Sequence, residues 1–376
     1  MSVGAPIHPT RAVVDLAAFR HNIAMVRTYV GPGAAIMPVV KADAYGHGAV
    51  RLSEEALRQG IHQLAVARYH EGLALRAAGI ESPILVFEIV PRESLEASVA
   101  GELTLTVASE EYARALGLQA MRMGRKPTVH VKVDTGMGRL GMGYETAAET
   151  LERIFRLPSL TVEGVYSHFA SSEEPDQSFA GEQLRRFTTV LADLERRKIS
   201  VPLRHMANSG AIIAIPDSHL DLVRPGIMLY GYTPRRDMPQ PHPVIPVMSL
   251  RSQVSFLKTV QAGKSISYGR RYTTRSRTTI ATIPVGYADG FARLLTNRSE
   301  CIIRGQRFPV VGTVCMDHVM ADVGEEAGIS EGDDVTLIGG DGSEVITAWD
   351  IASAIGTIPY EVTCLVTPRV PRVFAG

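Results

Sequence analysis

The sequence predicts an α/β chain: an N-terminal (β/α)8 barrel of the TIM type, then a mostly-β domain. Three observations carry this reading. Eight short apolar runs alternate with amphipathic helical segments over the first ~240 residues, the size and rhythm of such a barrel. The stretch TPRRDMPQPHPVIP (233–246) then places five prolines in fourteen residues and reads as a linker. Beyond it the chain becomes strand-rich. These features place the barrel at 12–242 and the β-rich domain at 243–376, which residues 1–11 could join. An open doubly wound sheet is the alternative for the first part.

The barrel elements follow in order. In DLAAFRHNIAMVRTYV, Leu16, Phe19, Ile23, Val26 and Val30 fall at helical spacing behind Asp15, a residue suited to an N-cap. The strands are AIMPVV (35–40), QLAVAR (63–68), PILVF (83–87), LTLTVA (103–108), TVHVKVD (128–134), TVEGVYSH (161–168), LRHMA (203–207) and LDLV (220–223). SEEYARALGLQAMRMG and GEQLRRFTTVLADLERRK repeat the helical pattern between them. After the linker, RSQVSFLKTV, TTIATIPVGYAD, CIIRGQRFPVVGTVCMDHVMADV and DDVTLIG read as strands, and a single clear helix pattern surrounds AWDIASAIG. So many strands leave edges to be covered by the other domain or another subunit.

Composition narrows the function classes. The 376 residues are 45% hydrophobic and 21% charged, ordinary for a globular protein. Basic and acidic residues number 39 each, so the zero net charge gives no support for a nucleic-acid partner. Cys301, Cys315 and Cys364 are odd in number, widely spaced and without a C-x-x-C. No disulfide framework or metal site is expected, and a reducing cytoplasm fits. MSVGAPIHPTR lacks the apolar core of a signal peptide. No apolar run approaches the ~18 residues of a membrane span, so no membrane partner is expected.

KVDTGMGRLG (132–141) carries two signatures at once. Gly136, Gly138 and Gly141 spell the dinucleotide fingerprint, but four βα units precede them where that motif opens the first. Asp134-Thr135-Gly136 spells the aspartic protease loop, which needs two aspartates sharing one proton, and the chain has one such triplet. A flexible βα loop explains the glycines. It leaves Lys132 and Arg139 without a purpose.

In a (β/α)8 barrel, chemistry gathers at the C-terminal ends of the strands. Those positions hold Lys41 and Tyr45 after the first strand, Arg139 after the fifth and His168 at the end of the sixth. Asn208 and Ser209 follow the seventh, and Arg224 and Gly226 the eighth. Loops after strands seven and eight commonly hold phosphate. A lysine with a phosphate site suggests pyridoxal phosphate held as a Schiff base.

VVKADAYGHG, KVDTGMGR, SHFA, NSG, RPGIMLYG, SYGRRYTT, PVGYADG, VGTVCMDH and PYEV, in this order from Val39 to Val362, resemble the alanine racemase family of pyridoxal 5'-phosphate enzymes. The resemblance implies that Lys41 is the Schiff-base lysine and the base acting on the D-enantiomer. Tyr268 resembles the opposite base, acting on the L-enantiomer from the other subunit of a homodimer. Two bases on opposite faces of a planar Cα suit racemisation. A phenol must be tuned for this, a part implied for His168 and Arg224. Arg224 would face the pyridine nitrogen and keep it unprotonated, since a guanidinium only donates. Phosphate contacts are implied for Tyr45, Ser209, Tyr360 and the N–H groups of Gly226 and Ile227, with Asn208 beside them. Leu85 would pack the cofactor. Arg139 and the N–H of Met316 would hold substrate carboxylate, and Asp317 would line the entrance. Lys132 matches a lysine carbamylated in many members, where the carbamate would orient Arg139.

Plainer accounts stand beside these. Lys132 could face solvent or pair with Asp134, Arg224 could pair with Asp221, and Tyr268 could pack at an interface. The implied activity is interconversion of L- and D-alanine, supplying D-alanine for peptidoglycan. A racemase for another small amino acid such as serine, a non-enzymatic pyridoxal phosphate carrier and an amino-acid decarboxylase are the alternatives.

Overall fold

A computed structural model describes residues 8–325 and 327–376. The chain forms two compact units. One comprises Phe19–Ala44 and Ala49–Ile245; the other comprises the segment through Ala18, Tyr45–Gly48 and Pro246–Gly376.

The larger unit is built on eight parallel strands. In chain order they are Ala35–Ile36, Leu64–Val66, Ile84–Val86, Thr104–Val107, Thr128–Asp134, Thr161–Tyr166, Leu203–His205 and Leu222–Val223, each inside an expected run. From the second to the eighth each neighbours the next in sequence, and the eighth pairs with the first. Between the first and second, a parallel bridge joins Val39 to Ala65, with the Val40 N–H on Ala65 O at 2.8 Å and the Ala65 N–H on Pro38 O at 2.9 Å. The order never reverses and the ring closes, so this is a barrel and not a doubly wound sheet. Both faces of the strands are covered, so apolar residues dominate them: Leu64, Ile84, Leu105, Val131 and Val165 are fully buried, with His130, Lys132 and His205 among the buried polar exceptions. The helices form where the period of 3.6 was read. Leu16–Val30 starts on Asp15, whose Oδ1 accepts the N–H groups of Ala17 and Ala18. Glu110–Arg122 is capped by Ser109, which accepts from Tyr112 N–H at 3.1 Å.

The second unit holds a ten-stranded, mainly antiparallel sheet. The expected barrel start at residue 12 is corrected here. Arg11–Asp15 pairs antiparallel with Met248–Gln253 and parallel with Arg372–Ala375, so the strand joins this sheet. The boundary after the barrel falls at Pro246 rather than 243, and Tyr45–Gly48 clusters with this unit. The expectation for residues 1–11, and the absence of a signal segment, fall largely on residues 1–7, outside the described residues. A second helix, Pro359–Leu365, follows the expected one at Ala348–Ile355. Only seven residues long, it showed no helical period in the sequence.

Candidate active site

Lys41 opens a turn of unusual hand. Ala42, Asp43, Ala44 and Tyr45 have φ of +51° to +55°, a left-handed helical turn without glycine until Gly46. Such a conformation costs about 1–2 kcal/mol per residue, so its surroundings must hold it. The Ala44 N–H donates to Val40 O at 2.9 Å. Ala42 N–H donates to the Glu71 carboxylate at 2.7 Å, and Ala49 N–H to Asp43 at 2.7 Å. Glu71 also accepts from the N–H groups of Ala67 and Arg68. Lys41 therefore leaves the first strand on a backbone fixed at several points.

Across the strand ends lies a buried cation. Arg224 is 2% exposed. Its guanidinium donates to Nδ1 of His205 at 2.6 Å, Ser167 O at 2.7 Å, Met206 O at 3.0 Å and Nδ1 of His168 at 3.2 Å. Among the described residues no carboxylate pairs with it, because Asp221 is taken by Arg204 at 2.7 and 2.8 Å. The plainer Asp221–Arg224 account is thus excluded. Burial lowers the Arg224 pKa to about 10. Burial, with the Arg224 charge adding, holds the pKa of His168 and of His205 well below the usual value, so both rings are neutral.

Lys132 is 4% exposed, with Nζ 4.6 Å from the centre of the Tyr166 ring. Burial and the nearby Arg224 and Arg139 cations lower its pKa to about 7, against a small opposing pull from Asp134. It does not face solvent. Tyr166 stacks on His205 with ring centres 4.8 Å apart, and its hydroxyl lies 2.8 Å from that of Thr106. Asp134 is occupied by its own loop, accepting the N–H groups of Gly136 and Gly138. Gly141, at φ +125°, passes so close that a Cβ would lie 2.7 Å from Asp134 N. The loop carries Arg139, which is exposed.

After strand seven, Asn208 caps the helix Ser209–Ala214, its Oδ1 accepting from Ala211 N–H at 3.0 Å and Ser172 Oγ at 2.7 Å. Ser209 Oγ accepts from the Gly226 and Met228 N–H groups at 2.9 and 3.4 Å. With two N–H groups donating to it, the hydroxyl proton of Ser209 remains to be donated. Leu85 is buried within the barrel wall.

Tyr45, Tyr268, Met316, Asp317 and Tyr360 belong to the other unit. Tyr45 and Tyr360 pack with ring centres 5.9 Å apart. Tyr268 is 72% exposed, yet its backbone is pinned: Ser267 Oγ donates to Thr313 O at 2.5 Å, and Thr313 Oγ1 to Tyr268 O at 2.7 Å. Met316, 51% exposed, follows Cys315, whose Sγ lies 3.4 Å from Ser267 Oγ. Asp317 pairs with Arg369 at 2.8 Å.

Comparison with known proteins sets this arrangement in a family. Family models for the alanine racemase N-terminal and C-terminal domains match residues 14–234 and 247–374. An alanine racemase of Desulfovibrio desulfuricans is 44% identical over 97% of this chain and 98% of its own. The chain belongs to the alanine racemase family. It is an isomerase, an amino-acid racemase. The solved alanine racemase of Clostridium difficile 630 superposes with a TM-score of 0.94 at 37% identity, covering 100% of this chain and 97% of that one. That of Bartonella henselae, solved with covalently bound pyridoxal phosphate, gives 0.87 at 28% identity, covering 98% and 99%.

The racemase barrel thus gathers Lys132, His168 and Arg224 in one electrostatic cluster and joins Ser209 to Gly226. Sequence reasoning missed Thr106, Tyr166 and His205, which complete the surroundings of Lys132 and Arg224. One signal was available. His205 and Tyr166 occupy the last positions of their strands, where side chains reach the functional face. Among the described residues no helix is long and apolar enough to cross a membrane.

Proposed function

We propose that this racemase interconverts L- and D-alanine with pyridoxal 5'-phosphate in its barrel. The observation that carries the reading is Arg224: a buried guanidinium, unpaired with any carboxylate among the described residues and held between two neutral histidines. That environment fits a ring nitrogen that must stay unprotonated. Lys41 would hold the cofactor, Leu85 would pack against it, and Tyr45, Ser209, Tyr360 and the N–H groups of Gly226 and Ile227 would take the phosphate. Asn208 supports that cradle as a helix cap. When bound, the cofactor supplies the electron sink that acidifies the Cα proton.

The chain's own residues do the rest. Lys41 exchanges a proton at Cα on one face and Tyr268 on the other. The exposure of Tyr268 and Met316 suits residues that complete the site of a second subunit, so a homodimer with shared sites is part of the proposal. Arg139 and Met316 N–H would orient the substrate carboxylate, with Asp317 at the entrance. Lys132, mostly uncharged above its pKa of about 7, is poised to become a carbamate and hold Arg139 by charge-assisted hydrogen bonds. The physiological setting that follows is the cytoplasm of a cell that needs D-alanine for peptidoglycan.

The deciding experiment incubates the holoenzyme with single L-amino acids in deuterated water. Deuterium at Cα with racemisation of alanine, and at least about tenfold slower reaction of serine, is expected of a site built for a methyl side chain. Carbon dioxide release, or serine turning over faster than alanine, would overturn the assignment.

A further inference from the structure

The racemase reading explains the face of Arg224 turned toward His168. The other face begins a chain of hydrogen bonds through the barrel interior. Arg224 Nη1 meets His205 Nδ1 at 2.6 Å, His205 Nε2 meets His130 Nδ1 at 2.8 Å, and His130 Nε2 meets Glu163 Oε2 at 3.0 Å. Its direction is not free. A guanidinium only donates, so His205 Nδ1 accepts and its proton sits on Nε2. His130 Nδ1 must then accept, and its own proton on Nε2 is donated to the Glu163 carboxylate. A donor-only cation closes one end and a carboxylate the other.

Two backbone features are fitted to this chain. The pairing between strands five and six matches Val129 with Val162, then His130 with Gly164, so Glu163 is the extra residue of a bulge. Bulges re-aim side chains. Gly164 has no room for a side chain, since a Cβ there would lie 2.7 Å from His130 Nδ1 and 2.8 Å from its Cε1. Both histidines are fully buried, while the Glu163 side chain is 38% exposed. Its carboxyl is held below the usual range, first by the His130 hydrogen bond.

We propose that Glu163 is a positioning residue of the racemase: through His130 and His205 it fixes the proton positions that aim Arg224 into the site. The acceptor oxygen at residue 163 sets the direction of the whole chain. A carboxylate fixes an imidazole tautomer in the same way in hydrolase triads.

The test compares Glu163→Gln, Glu163→Leu and Glu163→Lys in the holoenzyme, reading histidine tautomers by nitrogen-15 NMR beside kcat and KM for alanine. Glutamine can still accept through its amide oxygen, so the Nε2–H tautomers of His130 and His205 should persist. Lysine presents only donors and should drive the His130 proton toward Nδ1, against His205. Expected are a loss in kcat of about three- to tenfold for leucine, a larger loss for lysine, and values within about twofold of wild type for glutamine and for every KM. Unchanged tautomers and kcat in the leucine and lysine variants would overturn the proposal. So would a glutamine variant as impaired as leucine. The tautomer readout does not depend on turnover, so a wild-type protein that racemises no amino acid would sink the functional reading and leave the relay separately decided.

Discussion

Lys132 is a residue whose charge the fold decides. In the unfolded chain it titrates near 10.5, and in the folded barrel near 7. Between those values the unfolded state holds a proton that the folded state has released, so folding gains stability as pH rises across this window and loses it as pH falls toward 7. In carbonate-free buffer, the Tm of wild type relative to Lys132→Met should rise from pH 7 to pH 10 and stay flat below pH 7. A difference that is constant with pH would remove the buried-amine account. Tyr268, the proposed second base, makes the opposite case, an exposed phenol on a pinned backbone. Tyr268→Phe should slow the reaction started from L-alanine by about 10²–10⁴-fold, the usual contribution of a positioned base, as followed by polarimetry. Full activity would sink the two-base assignment. Lys132 was legible in the sequence because neither borrowed signature used it. His205 and Tyr166 carried only their strand-end positions as a signal, because a buried histidine or tyrosine in a strand otherwise looks like any core residue until its partners are known.

At the level of elements, the turn after Lys41 makes an unusual demand on its sequence. At Ala42, exposed with φ +51°, glycine is the better fit. Ala42→Gly should stabilise the protein by about 1 kcal/mol, where the same change inside a right-handed helix would cost a similar amount. Thermal unfolding gives the sign directly. The glycines of the fifth βα loop should separate in the same way. Gly141→Ala combines φ +125° with a Cβ contact of 2.7 Å to backbone and should cost about 2 kcal/mol or more. Gly138 has φ +68° and open space around it, so its alanine variant should cost only about 1–2 kcal/mol. Equal losses would show that the loop relaxes around Gly141. Strands and long helices were legible because periodicity of two or 3.6 is written in apolar residues. The left-handed turn was invisible, since KADAY contains no glycine and its conformation is imposed by Glu71 and Val40 from outside the segment. The bulge at Glu163 was equally hidden, because register belongs to a pair of strands and not to one.

For the whole molecule, the division into a barrel and a β-rich unit was readable from the proline linker and the change of pattern after it. Residues 12–15, placed with the barrel, form with Arg11 a short strand that the sequence reading did not mark. Its partners lie more than 200 residues away, at Met248–Gln253 and Arg372–Ala375. A shared-site homodimer has a quantitative signature. In a two-fold dimer of Lys41→Ala with Tyr268→Phe subunits, one site collects both defects and the other neither. Refolding the two inactive variants together in equal amounts should restore about a quarter of wild-type activity from L-alanine, since half of the dimers are mixed and each carries one intact site. No recovery on mixing would mean that each chain completes its own site.

The closure of the barrel has a further consequence for how the protein breathes. Its ring is fastened between the first and second strands by the single bridge at Val39 and Ala65, and Lys41 follows two residues later. A thinly paired part of the wall therefore adjoins the lysine proposed to hold the cofactor. Local opening there would release the Val40 and Ala65 amides to solvent before the longer ladder between strands five and six. A cofactor tethered to Lys41 would act as a clasp on that seam. Slower deuterium uptake at these two amides in the holoprotein than in the apoprotein would report the clasp, independently of any reaction at the site.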